Sequence, residues 1–281
     1  MASFLANTFG LLVYLPVILC LWLSVSTASA QMEWGVSYDE KTALSISQGA
    51  LGKLLGDYQL ELSDNTRLST RELQGKPVVF SLIYTSCYHI CPTTTKHLAS
   101  VVEKARKVLG EDSFRVVTLG FDHFNDTPDA MRFFAARQKI DDPNWFFASV
   151  DGETVKGLSE DLGFIFFPSP NGFDHLIQAT IVDKNGRVYH HVYEMKFDTP
   201  LLIEPLKNLV FQTEDSEPLF TRLTNKVRLF CTVYDPIKDQ YRVDYSIFIG
   251  MLIGLTTMMS ILYFVIRQWR SQKSTNEEGG Q

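Results

Sequence analysis

Charge of either sign is missing from residues 1–30 and again from Tyr245 to Ile266. Basic blocks and aromatic–basic interleaving are missing throughout. With a net charge of −6, this argues against a nucleic-acid partner. Cysteine is scarce, four in 281 residues, which excludes a disulfide-dense mini-fold. The chain is long enough to bury a sizeable core without such staples. It has no internal repeat, and its only low-complexity stretch is the polar tail.

What is present begins with two apolar runs. Leu11 to Val25 is almost wholly apolar and is followed by the small-x-small pattern Ala28-Ser29-Ala30, so residues 1–30 read as a signal peptide. The region before the run lacks Lys and Arg, which keeps an uncleaved anchor helix as the alternative. Tyr245 to Ile266 is 22 uncharged residues, enough for a transmembrane helix, and Arg267, Arg270 and Lys273 follow. Basic residues favour the cytoplasmic side, so 267–281 is expected to be a cytoplasmic tail. The domain, from residue 31, is expected in the periplasm of a bacterium, tethered to the inner membrane.

Between these runs the pattern alternates strand and helix. Tyr58, Leu60 and Leu62 alternate before the turn signal Asp64-Asn65, which predicts an N-terminal hairpin arm. Ser69 and Glu72 have capping-box spacing. Val78 to Tyr84 reads as a buried strand, and the helix after it should reach Leu109, with Gly110 ending it. Arg115 to Phe121 is a second strand, and Asp126-Thr127-Pro128 opens another helix with Asp126 as its cap. Glu153–Leu162 is a further helix. Lys184-Asn185-Gly186 marks a hairpin between 176–182 and 188–193, and a last helix runs from Thr199 to about Phe211. This order predicts an α/β fold: a thioredoxin-like central sheet with helices on both faces. Residues 212–244 then read as a linker and juxtamembrane arm containing Cys231.

The chemistry concentrates in TSCYHICPTTT, residues 85–95. A cysteine pair at a strand-to-helix turn meets the positive end of a helix, which favours thiolate. The spacing is C-x-x-x-C, Cys87 to Cys91. The extra residue lets both sulfurs face one point, a soft site suited to Cu(I) and compatible with Zn(II). A structural disulfide and a metal-free redox couple remain open.

Six histidines could add a ligand. His97, on the helix, reads as solvent-facing. His190 and His191 alternate along a strand, so at most one points inward. His89 lies within the cysteine loop, and His123 ends the second strand on the same edge. His175 is best placed, because a Pro168/Pro170/Gly172 loop and the start of the hairpin strand carry it to face the thiols. Asp122, Asp126 and Asp174 lie near, and Asp174 could orient His175. Cys231 reads as a half-buried thiol or, less blandly, an accessory sulfur.

YTSCYHICPTTTKHL together with FDHLIQATIVDKNGRV resembles the Sco/SenC copper chaperones. LGFDHFNDTPDAMRFF (119–134) looks like their D-x-x-x-D-T-P segment, and LELSDNTRLSTRELQGKPVVF (60–80) like the arm before the first core strand. The likeness covers about 56–211, the core of a domain spanning 31–211. It implies copper held by Cys87, Cys91 and His175. It also implies a non-enzymatic chaperone for the dinuclear copper site of cytochrome c oxidase subunit II or a related acceptor, by copper delivery, cysteine reduction or both. Tyr88 stands where the family usually has proline, and with His89 it adds a possible donor. A metal-independent thiol–disulfide oxidoreductase is the alternative.

Overall fold

Residues 38–213, 232–236, 238–243 and 246–278 are described by the computed structural model. The expected signal peptide, residues 1–30, and Cys231 lie outside the described residues. Asp39 caps the first helix, α1 (Glu40–Gly49), accepting from the Thr42 amide at 2.8 Å. The expected hairpin arm follows. β1 (Gln59–Leu62) pairs antiparallel with β2 (Arg67–Ser69), and Asn65 turns the chain at φ 65°. Ser69 and Glu72 make both bonds of a capping box, at 2.7 and 3.2 Å. No helix follows them, because Gly75 and Pro77 stop the segment and 70–75 stays a run of turns.

The apolar run becomes β3 (Val78–Ile83), and all six of its residues are buried. Neighbouring side chains on a strand point to opposite faces, so burial of all six requires cover on both sides of the sheet. Helix α2 (Ile90–Leu109) begins just before Cys91 and ends at Gly110, φ 106°. β4 (Arg115–Gly120) runs parallel to β3. Helix α3 (Pro128–Gln138) is capped by Thr127, whose hydroxyl accepts from the Ala130 amide at 3.2 Å. Asp126 was the expected cap, but it is 1% exposed and turned inward.

The sequence reading passed over β5 (Trp145–Ser149), a third parallel strand paired with β4. Its five residues lie between a Pro143-Asn144 turn and the Asp151 cap of helix α4 (Gly152–Leu162), too short a run for periodicity to mark. The proline–glycine loop also proves to be structured: β6 (Phe166–Ser169) and β7 (Gly172–His175) form a separate hairpin. β8 (Gln178–Val182) and β9 (Val188–Tyr193) follow as expected around Gly186. Helix α5 (Thr199–Thr213) closes the domain. The main sheet has the order β2-β1-β5-β4-β3-β8-β9, with β8 antiparallel to β3.

Among the described residues, the segment before the apolar helix does not join this sheet: β10 (Thr232–Asp235) and β11 (Gln240–Val243) pair with each other. They are fixed to the domain by the Lys104–Asp239 ion pair and by the Tyr241 hydroxyl, which donates to Glu204 at 2.9 Å. Helix α6 (Ser246–Glu278) contains Phe248–Arg267, 20 residues of mean hydropathy 2.1 with none of the span buried. It is long and apolar enough to cross a bilayer.

Candidate metal and redox site

Sheet topology brings the chemistry to one edge. β3 and β4 are parallel and end in register, Ile83 beside Gly120, so the thiol loop and the Asp122–Asp126 loop leave the sheet side by side. β8 runs the other way along β3, so the segment entering it, which carries His175, arrives at the same edge. Ligands in open sheets collect at such carboxyl ends.

Asp126 ties two of these loops together. Its carboxylate accepts from the Thr85 amide at 2.8 Å, the Thr85 hydroxyl at 2.6 Å and the Asp122 amide at 2.9 Å. Only a glycine at 120 permits this approach, since a Cβ there would lie 2.4 Å from that of Asp126. Burial pushes the Asp126 carboxyl above the usual carboxylate range, against these hydrogen bonds.

The two cysteines are free thiols with different surroundings. Cys87 is partly exposed and Cys91 is buried. Burial alone would raise the Cys87 thiol. The amide of Cys91 at 3.3 Å, its thiol, the His89 amide and the Tyr84 hydroxyl outweigh that and bring Cys87 below the ordinary cysteine range. Amides at the first turn of a helix stabilise a thiolate in this way. Burial, reinforced by the neighbouring Cys87 charge, pushes Cys91 well up.

His175 ends β7 with its ring against Phe121 and Phe164, at 5.3 Å from each, and against Tyr84 at 6.1 Å. Its Nδ1 lies 2.7 Å from the Leu176 carbonyl, which can only accept, so Nδ1 carries the proton and Nε2 keeps its lone pair. Burial holds the imidazole below its ordinary pKa, favouring the neutral form a metal requires.

Tyr84, which sequence reasoning read only as the end of a strand, touches both halves of the site. Its ring meets His175 and its hydroxyl donates to Cys87. Burial, with the Cys87 charge second, pushes this hydroxyl up to about 12, so it stays a donor. Its signal in the sequence is a polar tip on the last residue of an apolar run, three before Cys87. Gly172, at φ 120°, makes room for it, since a Cβ would sit 2.7 Å from the Tyr84 hydroxyl.

Among the described residues, no three His, Cys, Asp or Glu side chains already stand close enough to hold a metal ion. The thiol pair is assembled and the imidazole is oriented, but the two are not yet closed on one point. Of the other candidates, His89 is exposed in the thiol loop, and Asp174 is exposed beside His175. His123 is exposed, its ring tilted against Phe124. His97 is not solvent-facing as expected: its ring packs on Phe197, and Nε2 donates to the Phe197 carbonyl at 2.7 Å. His191 is the inward member of its pair, 5% exposed and 3.0 Å from the Thr180 hydroxyl.

Residues 47–210, more than half of the chain, match the SCO1/SenC family model. The chain belongs to the SCO1/SenC family. This SCO1/SenC chain is similar to the SCO1 protein homolog of Bacillus subtilis, 27% identical over 148 residues, covering 50% of this chain and 76% of the relative. A solved protein of Aquifex aeolicus shares 26% identity at a TM-score of 0.53, over 57% of this chain and 94% of its own. Arabidopsis thaliana ScoI, solved with copper bound, shares the fold at a TM-score of 0.50 and 18% identity, over 57% of this chain and 99% of its own. The thioredoxin-like fold expected from the order of elements is therefore the fold of the family.

Proposed function

We propose that this chain carries copper on Cys87, Cys91 and His175 and passes it to a copper acceptor, the dinuclear site of cytochrome c oxidase subunit II. The observation that carries the reading is the pairing of a thiolate-forming Cys87 with an imidazole whose Nδ1 is already committed to Leu176, leaving Nε2 as donor. Two sulfurs suit Cu(I), and the imidazole nitrogen makes Cu(II) acceptable. The neighbouring Asp174 carboxylate adds negative charge on the side of His175. A solved relative containing copper supports the choice of metal.

Loading requires His175 and the thiols to close on one ion and the Tyr84 hydroxyl to leave Cys87. Unloading reverses this: Tyr84 returns its hydrogen bond to the emptied thiolate. The apolar helix Phe248–Arg267 would hold the domain at the bacterial inner membrane on the periplasmic side, close to a membrane-bound acceptor.

The contrast between the cysteines supports a second, compatible use. Cys87 thiolate attacks a sulfur of the acceptor's disulfide, forming a mixed disulfide and releasing one acceptor thiolate. The Cys91 thiol, giving up its proton, then displaces the second acceptor sulfur. The acceptor leaves as a dithiol, and Cys87–Cys91 becomes the disulfide. Exposure of Cys87 and burial of Cys91 fit the attacking and resolving roles.

The test is a Cu(I) titration of the reduced full chain in detergent against a competing chelator. Wild type is expected to retain one copper, Cys87→Ser to lose it, and His175→Ala to bind far more weakly. Undiminished Cu(I) retention by His175→Ala would remove His175 from the site. Disulfide reduction that persists in a chain unable to retain copper would favour the metal-free oxidoreductase.

A further inference from the structure

Next to the thiol loop, and outside the proposed ligands, a groove of about 610 Å³ is walled by Phe121, Phe164, Phe166, Phe167 and Phe173. Two of these walls, Phe121 and Phe164, carry His175 at 5.3 Å, so the groove and the imidazole share a partition. At its rim stands Phe124, 81% exposed. A phenylalanine left in water forgoes the gain of burying its ring, so the fold gains nothing from this placement. The side chain is nevertheless held: the ring of His123 lies against it at 3.9 Å. Gly152 leaves the space His123 needs, since a Cβ there would come within 3.0 Å of its Nε2.

Charge narrows the occupant. Asp122 and Glu160 line the groove, and Asp174 stands directly across the hairpin from Phe167, on the same face. Lys156 is the one ammonium in the lining, beside the imidazole of His123. The exposed carboxylates Glu160 and Asp174, against one ammonium, repel an anionic lipid surface. They also oppose a second copy of this chain, which in a two-fold arrangement would set carboxylates against carboxylates.

We propose that this groove docks a partner polypeptide through one large apolar or aromatic side chain flanked by lysine or arginine. The anchor fills the phenylalanine cleft against Phe124, and the flanking cations meet Glu160 and Asp174. Resting on the copper-transfer reading, this defines the surface the acceptor must present: a basic-flanked apolar residue next to its own metal-binding loop, seated against the partition that carries His175.

The probe is the peptide acetyl-Lys-Lys-Trp-Lys-Lys-amide, with its Glu-for-Lys counterpart as control, titrated into the metal-free full chain in detergent by calorimetry. The basic peptide is expected to bind saturably and the acidic one not to bind. Phe124→Ala, a change at an exposed site, should weaken binding about tenfold, as loss of an interface anchor does. The double change Glu160→Gln with Asp174→Asn should lower the affinity and flatten its salt dependence. Cys87→Ser should bind the peptide like wild type while losing copper, which separates the two readings: copper retained without peptide binding sinks only the groove. Absent saturation, equal affinity for both peptides, or an unaltered Phe124→Ala titration overturns the proposal. Saturable binding of short-chain phosphatidylglycerol in the absence of peptide, weakened by Phe124→Ala, overturns it in favour of a lipid surface.

Discussion

Tyr84 and His175 pack edge to face, their ring centroids 6.1 Å apart and their planes at 84°. The hydroxyl of the same tyrosine donates to Cys87. One side chain therefore links the thiol loop to the imidazole, and it contacts both in the arrangement where they are still apart. A tyrosine here does what phenylalanine could not: it fills the apolar edge and also supplies a proton donor to sulfur.

Removing that donor should be legible in the chemistry of Cys87. Tyr84→Phe keeps the ring contacts with Phe121, Phe173 and His175 and deletes the hydroxyl, with its hydrogen bonds to Cys87 and the Phe173 amide. Hydrogen bonds to a charged acceptor favour the charged form, so the Cys87 thiol should titrate higher without this one. Iodoacetamide alkylation near neutral pH should slow accordingly, with thermal stability little changed. An unaltered alkylation rate would mean that the helix-terminus amides alone set the thiolate.

Gly172 offers an independent way to disturb the same contact. At φ 120° a side chain is strained, and the added methyl of Gly172→Ala would meet the Tyr84 hydroxyl at 2.7 Å. Destabilisation of about 1–3 kcal/mol is expected. Because the methyl pushes on Tyr84, alkylation of Cys87 should slow as it does in Tyr84→Phe. Normal stability together with normal alkylation would show that the β6–β7 hairpin yields instead of Tyr84.

The parts of this site that were legible in the sequence are those marked by local pattern. Val78–Ile83 is a run buried on both faces, and Cys87-x-x-x-Cys91 opens a helix, so strand, turn and thiols could be read together. His175 could be placed because it ends the loop just before the first strand of the Lys184-Asn185-Gly186 hairpin, and that strand, β8, runs antiparallel beside β3. What escaped depends on contacts between distant segments. Asp126 has the sequence position of a cap, yet it faces inward because Gly120 leaves space and Thr85 supplies donors from 41 residues away. His97 sits at a helical position that looks exposed until Phe197, just before α5, covers it. β5 is too short to announce itself and exists as a strand because β4 and β1 pair on either side of it. The phenylalanine groove is assembled from four separate segments, and no window of the chain contains it.

The far side of the sheet yields a pH dependence unconnected with the thiols. His191 is 5% exposed on β9, with the Thr180 hydroxyl at 3.0 Å, the Ser47 backbone and His190 around it. Burial pushes its pKa down to about 4. The unfolded chain would protonate the same ring near the ordinary value of about 6.5. Between these two values the unfolded state binds the extra proton. Stability is therefore full above about pH 6.5 and falls as the pH drops toward about 4, by at most about 3 kcal/mol in all. Urea unfolding of wild type across this window should show that slope. His191→Asn cannot take up the proton, so its curve should be flatter by the difference of one group, even though its absolute stability is lower. His175 is also held neutral by burial and contributes in the same direction, so it remains in both curves and cancels from their difference. Parallel curves would mean that the folded state protonates His191 as readily as the unfolded chain does, through relaxation of the contacts around Ser47.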